Sequence, residues 1–182
     1  MDSGVPGLQL VCLEHGAQAT RASARSELRL ALRERVAAQL HVDIARVEIA
    51  SSPGVAPQLL LDGSARAGGI SLAHDGNRSI AAWYQHGAVG IDILQVQDTA
   101  DWNIVARDYL GPDILKQLLN LSASARPQAF AQAWTEREAH LKYLGQPLSE
   151  WTTLPATCSF HRLALAAGYA ATVAIKKGHD QA

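Results

Sequence analysis

The sequence has little that is typical of a secreted, membrane-spanning or metal–thiolate protein. Its only cysteines, Cys12 and Cys158, lie far apart and form no CxxC motif, which argues against a disulfide framework and a thiolate metal site. We expect both to be buried thiols. No apolar run approaches the roughly 18 residues that span a bilayer, and residues 1–7 lack the basic and apolar regions of a secretion signal. The expected location is the cytoplasm.

Neither sign of charge predominates in the chain. Sixteen Lys plus Arg against seventeen Asp plus Glu give a formal net charge of −1, so the composition predicts neither a nucleic-acid partner nor a membrane surface. Hydrophobic residues make up 48% of the 182 residues, which is enough for a folded core. The length suits one compact domain or two small similar halves that share a core.

Hydrophobic periodicity predicts a mixed α+β fold. Leucine and valine spaced four apart within residues 22–40 predict an amphipathic helix. Short apolar segments between residues 47 and 93 predict strands of one sheet, and residues 157–175 predict a terminal hairpin. Further helices are predicted near residues 102–109, 115–119 and 127–145. Strands therefore flank a helical middle, which favours α+β over an alternating parallel sheet.

The predicted helix at 127–145 carries charges where burial is expected. On a helical wheel three large residues form a narrow apolar stripe, Phe130, Trp134 and Leu141. Arg137 lies inside this stripe, and Glu138 and Lys142 lie along one border. Taken alone, Glu138 and Lys142 also suit an ordinary surface ion pair, with Arg137 extending past the stripe towards solvent.

Two residues on predicted strands are further candidates. Asp92 lies in the apolar run 88–93, and burying a carboxylate is costly unless it is paired or binds a cation. Gly90 predicts the close approach of a ligand or of backbone. His74 follows a strand-like segment and faces a turn. The structural alternatives are a turn-capping aspartate and a hydrogen-bonding histidine. Zinc-site spacings and GxSxG are absent from the sequence.

The order of these segments resembles the 4'-phosphopantetheinyl transferase superfamily. Its members carry a histidine at a strand end, then (V/I)G(V/I)D, then, about forty residues on, (W/F)(S/T/C)xKE(A/S)xxK. The corresponding segments are SLAH at 71–74, VGID at 89–92 and WTEREAHLK at 134–142. Trp134 follows Asp92 by 42 positions (134 − 92). The resemblance extends roughly from the first predicted helix to Trp151.

The resemblance implies the larger architecture of the family and its reaction. We expect one domain over residues 1–182, with two similar α/β halves, about 1–87 and 88–182, related by a pseudo-twofold axis in a monomer. The implied activity is Mg²⁺-dependent transfer of 4'-phosphopantetheine from coenzyme A to a serine of an apo acyl or peptidyl carrier protein, which releases adenosine 3',5'-bisphosphate. Such phosphoryl transfer depends on charge neutralisation and in-line positioning.

The resemblance also implies roles for three residues at the reaction centre. Asp92 and Glu138 match the family's metal ligands and would hold Mg²⁺ at the coenzyme A pyrophosphate. Lys142 would neutralise the pyrophosphate and is a candidate to protonate the leaving group. Two carboxylates, a hard cation and a basic side chain suit this chemistry.

Further residues are implied as coenzyme A ligands. His74 would contact a phosphate, and Arg137, which stands where the family usually has lysine, would bind phosphate with a guanidinium fork. Arg25 or Arg33 on the first helix and Arg66 in the following loop are weaker candidates for the 3'-phosphate.

Three departures from the family pattern leave an alternative open. Leu94 stands where a third metal ligand is common, and Ile114, next to Asp113, stands where a base has been proposed. Asp75 follows His74 where serine or threonine is frequent, and its charge is unfavourable near phosphate. The alternative is a non-catalytic module that binds coenzyme A or a carrier protein and has a degenerate metal site.

Overall fold

The computed structural model describes residues 4–52, 55–165 and 168–177. The strands are β1 (Leu8–Glu14), β2 (Val47–Ala50), β3 (Gln58–Leu61), β4 (Ser64–Ala65), β5 (Gly69–Asp75), β6 (Arg78–Tyr84), β7 (Val89–Gln95), β8 (Cys158–Arg162) and β9 (Tyr169–Lys176). The helices are α1 (Arg21–Leu40), α2 (Trp102–Val105), α3 (Pro112–Leu119) and α4 (Arg126–Tyr143). In the described part of the chain, no helix is long and apolar enough to cross a membrane.

The predicted single sheet is wrong, because the strands form three antiparallel sheets of three strands each. Their orders are β1-β6-β5, β2-β3-β4 and β7-β9-β8. β5 and β7 lie side by side, but side chains make the hydrogen bonds that join them. Ser71 Oγ accepts from the backbone N–H of Ile91 at 3.0 Å, and the Asp75 carboxylate accepts from that of Gln95 at 2.6 Å. Strand periodicity in the sequence does not specify such partners.

Helix α1 packs on the sheet β1-β6-β5, as its periodicity predicts. Leu28, Leu32 and Val36 are buried against this sheet in a cluster that includes Trp83. The helix begins after Thr20, whose side chain accepts a hydrogen bond from the backbone N–H of Ser23 at 3.1 Å. This contact satisfies one of the free donors at the helix start.

Helix α4 packs on β7 and β9 through small residues. Ala131, Thr135 and Ala139, spaced four apart, are buried together with Phe130 and Leu141, whereas Trp134 of the predicted stripe is only half-buried. Small side chains on this face let the helix backbone approach the sheet closely.

Gly90 is a point of close backbone approach between β7 and α4. A Cβ atom at this position would overlap the carbonyl oxygen of Ala139 and lie 2.5 Å from the backbone nitrogen of Tyr143. The predicted backbone approach at Gly90 is therefore confirmed. The contact locks the strand that carries Asp92 against the helix that carries Glu138 and Lys142.

The two sheets with the longer strands, called here the two larger sheets, have the same arrangement of elements. In β1-β6-β5 and in β7-β9-β8, the first strand in sequence lies at one edge, the last in the centre and the intermediate one at the other edge. In each case a long helix, α1 or α4, follows the first strand and packs on the sheet.

The remaining local predictions are largely confirmed. The terminal hairpin is present as β8 and β9, although residues 166 and 167 of its connection lie outside the described residues. Between α2 and α3 the chain forms a π-helical turn, Ala106–Leu110, which ends at Gly111. The prediction of two buried thiols is confirmed for Cys158 and wrong for Cys12, which is only half-buried. Burial raises the pKa of both thiols, which makes them poor nucleophiles.

Candidate active site

A cleft of about 960 Å³ lies beside α1, β5 and the end of α4. Four predicted site residues line it, namely Arg25, His74, Asp92 and Lys142. They come from α1, β5, β7 and α4, so residues far apart in sequence share one concave surface. This volume is in the upper range for small-molecule and cofactor sites.

Asp92, which is buried, and Lys142, which is half-buried, form an ion pair in this cleft. Asp92 is 8% exposed, and Lys142 Nζ donates to its Oδ1 at 2.7 Å and to the carbonyl oxygen of Ile91 at 3.1 Å. The pKa of Asp92 is raised to about 6, mainly by burial and to a smaller extent by the charge of Glu138, while Lys142 opposes the increase. Asp92 is thus ionised at neutral pH, and its charge is partly compensated by Lys142.

Asp92 and Glu138 suit a magnesium ion. Glu138 does not line the cleft, but its negative charge acts on Asp92 and raises the pKa of that carboxyl group. Within the described ranges, no group of three or more His, Cys, Asp or Glu residues is placed to hold a metal. Mg²⁺ is commonly bound by one or two carboxylates, with water and substrate phosphate as its other ligands. The donor chemistry of the two carboxylates therefore suits this ion without a third protein ligand.

Leu94 makes an apolar contact instead of providing a ligand. Strand alternation places Gly90, Asp92 and Leu94 on the face of β7 that meets α4. Leu94 packs in an apolar cluster with Phe130 and lines a smaller cavity of about 230 Å³ beside Trp134. Position 94 therefore carries no carboxylate and is instead part of an apolar surface next to the charged site.

His74 lies among basic groups at the α1 side of the cleft. Partial burial lowers the pKa of its imidazole, and the positive charges of Arg21, Arg25 and Lys142 lower it further, while Asp75 opposes them. Several cations around one cleft residue provide an electrostatic field that favours an anionic ligand. Asp75 itself is half-buried, and its carboxylate binds the β7 backbone.

The structure does not bring every predicted ligand to the cleft. Arg137 donates to the carbonyl oxygens of Thr152 at 3.0 Å and Glu150 at 3.3 Å. Arg33 donates to the carbonyl oxygen of Val47 at 2.7 Å, and Arg66 is exposed. None of these three described arginines lines the cleft. A helical wheel places Arg137 near Glu138, but it cannot show which backbone carbonyls fold over it.

Arg29 is a cleft residue that sequence reasoning missed. It lines the cleft one turn after Arg25, and its Nη2 donates to Ser51 Oγ at 2.8 Å. Its buried Nε has no hydrogen-bond partner among the described residues. The available signal was the spacing of four between Arg25 and Arg29, which places both on one face of the helix.

We expect Arg137→Ala to loosen the segment that follows α4. Removing the two hydrogen bonds to the carbonyl groups of Thr152 and Glu150 should cost about 1 to 2 kcal/mol of stability and should speed limited proteolysis between residues 146 and 157. Ligand binding in the cleft, tested with coenzyme A as the probe, should change less than about twofold, because Arg137 lies outside the cleft.

Arg107→Ala is the matched control for Arg137→Ala, since Arg107 is exposed and pairs with the adjacent Asp108. A loss of coenzyme A affinity in Arg137→Ala with unchanged proteolysis would instead place Arg137 at the ligand.

Comparison with known proteins identifies the family. A sequence profile of the 4'-phosphopantetheinyl transferase superfamily matches residues 88–180, slightly more than half of the chain. The chain belongs to this superfamily. The part matched to the 4'-phosphopantetheinyl transferases includes Asp92, Glu138 and Lys142, whereas Arg25 and His74 lie outside it.

A curated relative agrees with this assignment. The chain is similar to a protein of Synechocystis sp. described as a candidate 4'-phosphopantetheinyl transferase, with 30% identity over 122 residues. The match covers 67% of this chain and 49% of the relative, so the chain spans about half the length of that protein. The predicted resemblance to the superfamily is therefore confirmed.

Proposed function

We propose that the protein transfers the 4'-phosphopantetheine group from coenzyme A to a serine of an apo acyl or peptidyl carrier protein. The reaction requires Mg²⁺ and releases adenosine 3',5'-bisphosphate. The observation that carries this proposal is the shared cleft, which joins Arg25 and His74 to Asp92 and Lys142. One end therefore offers cations for phosphate, and the other offers the carboxylate of Asp92 for a hard cation.

The proposed site residues have distinct roles in this reaction. Asp92, which lines the cleft, and Glu138, whose charge acts on it, would hold Mg²⁺, and the bound ion would supply positive charge. Lys142 lies 2.7 Å from Asp92, where its ammonium group neutralises a pyrophosphate oxygen and is a proton source for the leaving group. Arg25, with His74, binds phosphate at the α1 side of the cleft. Positioning and charge neutralisation are the main requirements of phosphoryl transfer.

The base for the carrier serine does not come from position 114. Ile114 is half-buried and packs in an apolar cluster that includes Leu110 and Leu118. The carrier serine must therefore lose its proton to another acceptor, such as water or a phosphate oxygen.

The two halves of the chain, about residues 1–87 and 88–182, are proposed to form one domain with pseudo-twofold symmetry. The matching strand orders of the two larger sheets, each with one long helix, support this relation. The cleft residues come from both halves, so one copy of the chain supplies both sides of the cleft. We accordingly propose a monomer that acts in the cytoplasm.

An intact-mass assay tests this function. The protein is incubated with Mg²⁺, coenzyme A and a panel of apo carrier proteins, and each carrier is weighed. The expected result is a mass gain of one phosphopantetheine on at least one carrier, with no gain when Mg²⁺ is chelated. Binding of coenzyme A without any mass gain on the panel would favour the non-catalytic module, whose structural support is the apolar setting of Leu94.

Leu94→Glu is expected to tighten Mg²⁺ binding and lower thermal stability. The new carboxylate would lie on the same strand face as Asp92, but it would enter the apolar cavity beside Phe130 and Trp134, and burying a carboxylate there is unfavourable. The Mg²⁺ concentration for half-maximal transfer should fall more than the maximal rate rises.

Leu94→Gln is the control, since it adds a polar group of similar size without charge. An unchanged Mg²⁺ dependence in Leu94→Glu would show that position 94 does not reach the ion. A wild type that is inert and a Leu94→Glu variant that transfers would establish the non-catalytic module.

A further inference from the structure

Glu27, His15 and Ser79 form a hydrogen-bonded chain that ends in the cleft. His15 Nδ1 lies 3.1 Å from Glu27 Oε2, and its Nε2 lies 2.8 Å from Ser79 Oγ. His15 is 8% exposed and Ser79 is 2% exposed. Ser79 lines the cleft, and its Cα partner on β5 is His74. The mechanism above uses neither Ser79 nor His15.

Which atoms donate and which accept in this hydrogen-bonded chain depends on which ring nitrogens of His15 carry a proton. An ionised carboxylate can only accept, so Glu27 requires a proton on Nδ1. When His15 is neutral, Nε2 accepts from the Ser79 hydroxyl, and only oxygen lone pairs of Ser79 remain for the cleft. When Nε2 also carries a proton, it donates to Ser79 Oγ, and the hydroxyl hydrogen becomes free to turn towards the cleft.

The surroundings of Ser79 favour the second arrangement when an anion is bound. Arg25 and Arg29 line the same cleft, and Arg21 and Arg25 act electrostatically on His74. A phosphate oxygen drawn to these cations is an acceptor, so it would be repelled by the lone pairs of Ser79 and attracted by its hydrogen.

The other carboxylates on the neighbouring strands already have hydrogen-bond or ion-pair partners. Glu14 on β1 pairs with Arg78 on β6 at 2.8 Å, and Asp75 on β5 accepts from the Gln95 backbone. Glu27 on α1 is the carboxylate in contact with His15. A second proton on His15 would therefore give a positively charged imidazolium, whose charge is compensated by the carboxylate of Glu27.

We propose that Glu27 and His15 are positioning residues that convert the Ser79 hydroxyl into a hydrogen-bond donor for a phosphate oxygen of the ligand. The conversion takes up one proton at His15 Nε2, and no covalent bond between heavy atoms changes. Ligand binding is thereby coupled to proton uptake. This inference rests on the proposed function, since coenzyme A is taken as the ligand.

Calorimetric titration of the intact protein with coenzyme A and Mg²⁺ at pH 7.5 tests the proposed role of the Glu27–His15–Ser79 chain. Titrations in buffers of different ionisation enthalpy give the number of protons taken up per ligand. The wild type should take up a measurable fraction of a proton. His15→Gln and Ser79→Ala should each lose most of that uptake and bind about tenfold more weakly, as expected for a lost hydrogen bond to a charged group.

Two further variants separate positioning from a general structural role. The double variant His15→Gln with Ser79→Ala should bind no more weakly than Ser79→Ala, because His15 acts through Ser79. Glu27→Gln removes the charge of an exposed carboxylate that contacts His15, so the variant should fold and still lower the proton uptake. Glu34→Gln, exposed on the same helix, should match the wild type.

The possible failures are distinguishable. Equal proton uptake in the wild type and His15→Gln, or unchanged affinity in Ser79→Ala, would contradict the proposed role of His15 and Ser79 and leave the proposed function intact. A wild type that binds no coenzyme A would overturn both.

Discussion

Asp92→Asn is expected to abolish Mg²⁺-dependent transfer and to stabilise the metal-free protein at neutral pH. Because burial raises the pKa of Asp92 from 3.8 to about 6, the folded state binds this proton more tightly than the unfolded state. The ionised carboxylate therefore costs stability, by about 3 kcal/mol at most. This cost is absent below about pH 4, increases between pH 4 and 6, and is complete above pH 6.

Chemical denaturation in the presence of a chelator measures this effect. Asp92→Asn should have the larger free energy of unfolding at pH 8, and the difference should vanish at pH 4. Asp98→Asn, which makes the same substitution at an exposed aspartate after the same strand, is the matched control. A variant that is less stable than the wild type at pH 8 would show that the ion pair with Lys142 outweighs the cost of burial.

The loss of activity in the same variant should be large. Removing one of the two proposed metal ligands should slow transfer by at least about 10²-fold, comparable to the loss of a main electrostatic group in other enzymes. Glu138→Gln should have a similar effect on transfer, and it should lower the pKa of Asp92 because a neighbouring negative charge is removed. Full activity of both variants in a Mg²⁺ titration would remove them from the metal site.

Gly90→Ala is expected to cause the largest loss of stability. The added Cβ would overlap the carbonyl oxygen of Ala139, and backbone on both sides cannot yield as a flexible side chain can. Overpacking of this kind costs about 3 kcal/mol or more, and thermal unfolding should show a correspondingly lower midpoint. Transfer activity should fall as well, because moving α4 away from β7 separates Lys142 from Asp92.

Gly16→Ala is the matched control for Gly90→Ala. A Cβ at Gly16 would meet no atom within 4 Å, so its effect should be within about 0.5 kcal/mol of the wild type. A Gly90→Ala protein as stable as the Gly16→Ala protein would show that the two elements are not held in close contact.

Several features could be predicted from the sequence because they depend on neighbouring residues. The amphipathic pattern of residues 22–40 predicts α1, and the proline and glycine near residues 127 and 145 predict the extent of α4. Gly90 predicts a close approach because few other reasons place glycine inside an apolar strand. The order and spacing of the motifs around His74, Asp92 and Glu138 indicate the family, since each motif is encoded in a short segment.

The partition into three sheets could not be predicted in the same way. Apolar alternation is similar whether two strands share backbone hydrogen bonds or are joined by side chains, as β5 and β7 are by Ser71 and Asp75. Strand pairing depends on contacts between distant segments.

By itself, the sequence determined the family, the main helices and the identity of the charged motif residues, because each is encoded in a short segment. Only the tertiary structure decided which basic residues share the cleft. It directs Arg137 to the carbonyl groups of residues 150 and 152 and places Arg29 in the cleft. It also joins His15 to Ser79, 64 positions away. The physical reason is that a side chain's partners depend on how distant elements pack, which local patterns do not specify.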